Sequence, residues 1–211
     1  MPDLVPWPSL RRGLIAILRG ITPTEAAAVA ATLIEEGFEA LEVPLNSPDP
    51  LRSIEVMCAR FGNDALIGGG TMLSPEDVDG VARAGGRLMV SPNVNPLVIG
   101  RACAQGMVSM PGVLTPTEAF AALEAGASGL KFFPALVLGA AGLAAVATVL
   151  PKGTVLGAVG GVGPDNIREY AKVGVRTFGM GASVFRAGDS LPEVRSKARA
   201  LVAAYDAAML S

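Results

Sequence analysis

The chain has 211 residues, a formal net charge of −2, and 51% hydrophobic against 17% charged residues. Those totals fit a compact globular protein long enough for a sizeable core, and they exclude a disordered chain or a nucleic-acid binder built on a basic face. There is no histidine. That removes Ser-His-Asp and Cys-His catalysis and the common histidine metal sites, so acid–base work falls to carboxylates, lysine, tyrosine, cysteine or water.

After a short N-terminal segment, Pro2–Leu10, the apolar run Gly13–Leu18 reads as a strand ending at Arg19-Gly20. Bracketed by Arg11, Arg12 and Arg19, it is too short for the apolar core of a secretory signal, and a cytoplasmic protein is expected. Thr22-Pro23-Thr24-Glu25 is a capping signal for a helix over Ala26–Glu36, which Gly37 stops. The pattern then recurs. Strands are expected at Ala40–Val43, Leu66–Thr71, Arg87–Ser91, Met107–Met110, Gly129–Phe132, Val155–Val159 and Thr177–Met180. Helices are expected at Pro50–Phe61, from Ser74-Pro75-Glu76 to Ala84, near Pro96–Gln105, from Thr115-Pro116-Thr117-Glu118 to Glu124, within Ala140–Val149, at Asn166–Val173 and at Leu191–Met209.

Eight strand–helix units follow one another with no linker or break in composition, so one domain spanning 1–211 is expected. Alternating β and α with eight repeats reads as an α/β protein, a (β/α)8 TIM barrel with a parallel eight-stranded core; an open doubly wound sheet is the alternative. Ala135–Leu150 carries no charge, but it is shorter than the ~20 residues a membrane span needs and is interrupted by Gly139 and Gly142. It reads as a buried helix. Cys58 and Cys103 fall in expected helices and read as reduced, buried thiols.

In such a barrel the active site lies at the C-terminal ends of the strands. There the sequence places Arg19, Glu42, Thr71, Ser91-Pro92, Lys131, Gly160-Gly161 and Gly181-Ala182-Ser183. Lys131, in Gly129-Leu130-Lys131-Phe132-Phe133-Pro134-Ala135, is an ammonium in an apolar strand, where a lone buried charge costs several kcal/mol. It is either paired with a carboxylate or used as an amine nucleophile. Glu42 is the second charge within an apolar strand and reads either as its structural partner or as the proton carrier for an imine at Lys131. Gly160 and Gly161, within Val159–Asn166, together with Gly181, Ala182 and Ser183, offer amides and a hydroxyl where such barrels bind phosphate, and a short helix is expected to start near Gly181. Neither loop is a Walker loop or a dinucleotide fingerprint.

Ile17-Leu18-Arg19-Gly20-Ile21-Thr22-Pro23, Leu41–Pro48, Gly68-Gly69-Gly70-Thr71, Leu130-Lys131-Phe132-Phe133-Pro134 and Ala158-Val159-Gly160-Gly161-Val162 occur in family order. From about Gly13 to Gly188 the chain resembles the class I 2-keto-3-deoxy-6-phosphogluconate and -phosphogalactonate aldolases. It is most similar to the phosphogalactonate branch, because gluconate-type members have Leu-Arg-Thr at Leu45-Asn46-Ser47 and Thr at Val159. The resemblance implies a Schiff base on Lys131 and proton transfer by Glu42. It places Thr71, the backbone near Pro92 and Phe133 at the pyruvyl end, with Val159 bearing on the substrate hydroxyls. Gly160, Gly161, Gly181 and Ser183 then hold the phosphate, and Arg19 binds substrate at either its phosphate or its carboxylate. It further implies a phosphorylated 2-keto-3-deoxy sugar acid as substrate, pyruvate and glyceraldehyde 3-phosphate as products, no metal or cofactor, no nucleic-acid or membrane partner, and a homotrimer working in galactonate breakdown. The alternatives are the gluconate epimer or dual specificity, a phosphate-binding isomerase or synthase in which Lys131 and Glu42 are only paired, and a non-catalytic sugar-phosphate sensor.

Overall fold

In the computed structural model, which describes residues 4–210, nine parallel strands form one sheet bent into a barrel. They are β1 (Leu14–Ile17), β2 (Ala40–Pro44), β3 (Leu66–Gly70), β4 (Leu88–Val90), β5 (Val108–Met110), β6 (Gly112–Val113), β7 (Leu130–Phe132), β8 (Leu156–Val159) and β9 (Thr177–Met180). The helices are α1 (Pro23–Glu35), α2 (Pro50–Phe61), α3 (Pro75–Arg83), α4 (Pro96–Ala104), α5 (Pro116–Glu124), α6 (Ala135–Ala147), α7 (Ile167–Lys172) and α8 (Leu191–Met209). Pro2 and Asp3 of the expected N-terminal segment lie outside the described residues.

The ninth strand segment arises from one proline. The fifth barrel strand is cut at Pro111, whose ring nitrogen has no hydrogen to donate to a ladder. Its N-terminal half β5 pairs with β4 and its C-terminal half β6 pairs with β7, so the two ends of the sheet belong to one bent strand. The bend is spanned by hydrogen bonds. Lys131 N donates to the Pro111 carbonyl at 2.9 Å, and Gly129 N to that of Ser109 at 3.1 Å. Ser109 and Ser128 each donate their backbone N–H to the other's hydroxyl, at 2.9 and 3.2 Å.

Local sequence starts the helices. Four carry capping boxes, Thr22 with Glu25, Ser74 with Asp77, Thr115 with Glu118 and Ser190 with Glu193, and proline occupies the first turn behind each. Beneath them Leu14, Leu18, Leu33, Leu41, Ile67, Phe132 and Phe178 are fully buried between helices and sheet. A smaller cluster of Ile15, Leu88, Val90, Val108 and Met110 fills the barrel, with Trp7 and Leu10 packed against it.

The expected buried helix within residues 140–149 is different in kind. The helix starts at Ala135, is interrupted at Gly139 (φ 67°), and buries only Ala135, Leu143 and Val146, while Leu136 and Val137 are 69% and 73% exposed. Hydropathy alone misplaced it: alanine and glycine fill much of it, and a surface helix needs only one apolar stripe. Among the described residues no helix is long and apolar enough to cross a membrane. Cys58 and Cys103 are free, as expected. Cys103 is buried and Cys58 partly so, and burial pushes the Cys58 thiol up to about 11.

The C-terminal helix ties the last segment to the first strand. Arg12 grips Asp206 through two parallel hydrogen bonds of 2.7 Å, and Tyr205 places its hydroxyl between Gly13 N (3.0 Å) and the Arg176 carbonyl (3.2 Å). Tyr205→Phe keeps the ring edge-on to Phe178 but leaves Gly13 N unpaired. It is expected to lower stability by about 1–2 kcal/mol in denaturant unfolding, and an unchanged midpoint would show that the hydroxyl contributes nothing.

Candidate active site

A cavity of about 550 Å³ opens at the C-terminal ends of the strands. Its lining includes Arg19, Glu42, Thr71, Pro92, Lys131, Phe133, Val159, Gly160, Gly161, Gly181, Ala182 and Ser183. The sequence-derived candidates, contributed by seven of the eight strand ends, therefore meet in one place. Ser91 does not join them: it is buried, and its hydroxyl donates to the Asn93 carbonyl at 2.8 Å, which fixes the turn carrying Pro92.

Lys131 is central in β7 and 7% exposed. Its register partners are Gly112 in β6 and Gly157 in β8, so neither neighbouring strand sets a side chain beside it. The ammonium nitrogen lies 5.0 Å from the centre of the Phe133 ring, a cation–π contact. Glu42, from β2, is 3% exposed, and its Oε2 is buried without a hydrogen-bonding partner in the protein. No ion pair joins Lys131 to Glu42 among the described residues. They sense each other through the cavity.

Burial dominates both titrations. It pulls Lys131 down to about 8, against the attraction of Glu42 and aided by the repulsion of Arg19. It pushes Glu42 up to about 7, opposed by Lys131 and Arg19. The amine and the carboxyl therefore both exchange protons near neutrality, as proton-transfer chemistry requires.

Arg19 stands at the rim after β1, where Nη1 donates to Asn46 Oδ1 at 2.5 Å. Beside it Gly20 N donates to Ser47 Oγ at 3.0 Å, so the loop after β2 is clipped twice to the loop after β1. The sequence marked Asn46 by what it lacks, an arginine. In the fold it supplies an acceptor that orients Arg19. Thr71 follows β3 with φ 57°, a left-handed conformation that a β-branched residue rarely adopts and that costs on the order of 1–3 kcal/mol.

The glycine loops have a fixed shape. Gly160 and Gly161 have φ of 92° and 80°, and a Cβ on Gly161 would lie 2.6 Å from that of Leu136. The Gly160 carbonyl accepts from Leu136 N, while Asn166 accepts from Gly163 N and donates to the Gly161 carbonyl. No helix begins at Gly181. The expected short helix is a single turn in which Val184 N and Phe185 N both donate to the Gly181 carbonyl. Gly181 is an open position, with no heavy atom within 4 Å of where a Cβ would stand, and Ser183 Oγ turns toward the Val162 carbonyl at 3.4 Å. Val159 is held by the missing side chain of Gly179, where a Cβ would lie 2.6 Å from Val159 Cγ2.

The sequence reading missed Arg186, a second cation on the lining, and Ile17 and Phe185, which make its apolar wall. Arg186 lies three residues beyond Ser183 with only its spacing as a signal. No group of three His, Cys, Asp or Glu side chains is placed to hold a metal ion among the described residues.

Known proteins share this fold. The family model described as KDPG and KHG aldolase matches residues 10–193. The probable 2-dehydro-3-deoxy-6-phosphogalactonate aldolase of Rhizobium meliloti (strain 1021) is 55% identical over 205 residues, covering 97% of each chain. The 2-dehydro-3-deoxy-6-phosphogalactonate aldolase of Escherichia coli (strain K12) is 47% identical over 192 residues, 91% of this chain and 94% of that one. A solved structure described as native KDPGal superimposes with a TM-score of 0.95 at 45% identity, over 98% of this chain and 100% of the other. Its relatives are aldolases, which are carbon–carbon lyases, and this chain belongs to the KDPG and KHG aldolase family.

Lys131→Met is expected to raise stability by about 1–3 kcal/mol at pH 7, because it removes a buried charge. The folded-state pKa of about 8 lies below the ordinary 10.5. The destabilisation by Lys131 is therefore complete below pH 8 and fades as pH rises toward 10.5, and the gap between variant and wild type should close over that window. Unfolding midpoints at pH 7 and pH 10 measure it, and a variant less stable at pH 7 would show that burial of the ammonium is fully compensated.

Proposed function

We propose that this chain is a Schiff-base aldolase that reversibly cleaves 2-dehydro-3-deoxy-6-phosphogalactonate into pyruvate and D-glyceraldehyde 3-phosphate, working as one (β/α)8 domain. The observation that carries the reading is the pair of buried, unbridged groups facing one cavity, Lys131 with its lowered pKa and Glu42 with its raised one. The names of the Rhizobium meliloti and Escherichia coli relatives support the substrate.

The neutral amine of Lys131 attacks the C2 ketone, and uptake of one proton with loss of water leaves a protonated imine, a proton that the final hydrolysis returns. Glu42 takes the C4 hydroxyl proton as the C3–C4 bond breaks, and that bond's electron pair moves into the imine to form an enamine. D-glyceraldehyde 3-phosphate leaves. Glu42 returns its proton to C3, and water hydrolyses the imine to release pyruvate and restore the amine. The iminium is the electron sink, so the sequence balances with the chain's own groups.

Thr71, Pro92 and Phe133 hold the pyruvyl end, and the amides of Gly160, Gly161 and Gly181 with the Ser183 hydroxyl hold the phosphate. Arg19, clipped by Asn46 at the rim, binds an anionic end of the substrate. Val159 sets an apolar wall at the position that bears on the C4 epimer.

Borohydride with pyruvate should leave one covalent adduct, located on Lys131 by mass spectrometry. No adduct, or one at Lys152 or Lys172, would sink the mechanism. Glu42→Gln should lower kcat by about 10²–10⁴-fold. Cleavage rates on the galactonate and gluconate epimers, measured side by side, should favour the galactonate compound, and a far faster gluconate rate would overturn the role given to Asn46 and Val159.

The protein is read as a cytoplasmic homotrimer of galactonate breakdown. Leu73, Leu97, Leu136 and Val137, at 53%, 72%, 69% and 73% exposure, are apolar surface that an interface between copies would cover. Light scattering should return the mass of three chains, and a monomer at micromolar concentration would exclude it.

A further inference from the structure

Strand β3 contains three successive glycines, Gly68, Gly69 and Gly70, although glycine inside a strand costs about 0.5–1 kcal/mol relative to alanine. Each therefore needs a reason. A Cβ on Gly68 would run into the backbone of Leu88 in the neighbouring strand. One on Gly69, on the outer face, would lie 2.7 Å from Val81 Cγ2 beneath α3. Gly70 is of another kind. It is not among the residues with positive φ, so its backbone makes no demand for glycine. The three heavy atoms nearest to a Cβ there all belong to the Glu42 carboxyl group, with Oε1 at 2.6 Å and Cδ and Oε2 closer still.

The register explains the encounter. Glu42 is paired with Gly68, and Gly70 lies two residues further along β3 toward the mouth, opposite Pro44. The Glu42 side chain climbs toward the rim and occupies the space that a side chain at position 70 would fill. There its Oε2 is buried without a hydrogen-bonding partner. No hydrogen bond from the protein holds that oxygen in place, so on the protein's side its position is set by the walls of its pocket.

We propose that Gly70 is a positioning residue whose missing side chain fixes the Glu42 carboxylate in its proton-transferring orientation. The inference rests on the reading of Glu42 as proton carrier, and it assigns to Gly70 a task that neither the backbone conformation nor the helix packing demands. A methyl group at position 70 rotates the carboxylate away from the cavity. Lys131, which is held by β7 and Phe133, is left able to form its imine.

The test separates imine formation from proton transfer in the full-length protein. Pyruvate trapping by borohydride reads the first, and exchange of the pyruvate methyl protons with deuterium, followed by NMR, reads the second. Gly70→Ala should slow exchange and kcat by about 100-fold while trapping stays within about threefold, since an ångström-scale misplacement of a reacting group costs on that order. Gly69→Ala, which presses on Val81 instead, should lower the thermal midpoint and leave exchange within about threefold. Glu42→Asp alone slows exchange, but combined with Gly70→Ala it should recover about tenfold over Gly70→Ala alone, because the shorter side chain withdraws from the added methyl.

Exchange retained in Gly70→Ala, equal loss of trapping and exchange, an equal exchange loss in Gly69→Ala, or no recovery in the double variant would each overturn the inference. Should Gly70→Ala fail to fold, the double variant decides: folding and exchange restored by Glu42→Asp sustain the inference, and a double variant that also fails to fold removes it. Exchange retained in Glu42→Gln would instead remove Glu42 as proton carrier, which is a separate failure.

Discussion

The structure is governed by two charged groups held inside a ring of strands without touching each other. In water a lysine and a glutamate cost nothing to ionise. Here burial opposes the charge on each, and no ion pair joins them. A direct salt bridge would satisfy both and hold the amine in its charged form. The barrel prevents it by mounting Lys131 against Phe133 on β7 and Glu42 against Gly70 on β2. The destabilisation this causes is met elsewhere, in the apolar layer between helices and sheet and in the bonds that fasten α8 to the first strand.

Glycine is the means by which the barrel interior accommodates these groups. Lys131 is flanked in register by Gly112 and Gly157, Glu42 by Gly68, and Val159 by Gly179. Each of these three side chains thus has a register neighbour with no side chain, which leaves the mouth of the barrel open above it. Glycine serves differently in the loop after β8, where Gly160 and Gly161 turn through positive φ so that the chain can pack on Phe133, Pro134 and Leu136.

Much of this was legible in the sequence because the signals were local. Thr-Pro-Thr-Glu and Ser-Pro-Glu announce helix starts through backbone satisfaction alone, and a charge in a run such as Leu130-Lys131-Phe132 has no local explanation, which is what singled it out. The convergence of Arg19, Thr71 and Gly160 at one mouth followed from counting strand ends. What the sequence did not disclose depends on contacts between distant segments. The expected strand stops at Met110, and only the closure of the ring reveals Pro111 as the middle of a longer one. Residues 135–147 read as buried because hydropathy sums composition, whereas the fold buries a stripe. Asn46 could be recognised by the absence of an arginine, but its bond to Arg19 requires two loops to meet. Gly70 stood out only as part of a glycine motif, because its contact is with a residue 28 positions earlier.

The proline break in the fifth strand also bears on the lysine. Because Pro111 cannot donate, the ladder between the fifth strand and β7 is interrupted at that point, and the Pro111 carbonyl accepts from Lys131 N. The backbone of the buried lysine is thereby fastened to the seam where the barrel closes, between β5 below and β6 above. Ser109 and Ser128 lock that seam one turn of the pleat beneath it by exchanging hydrogen bonds. A closed barrel is rigid because every strand has two neighbours, and a strand end is where that rigidity is usually lost. The seam here is stitched through the backbone of Lys131, so the position of that residue is set by the same contacts that complete the fold.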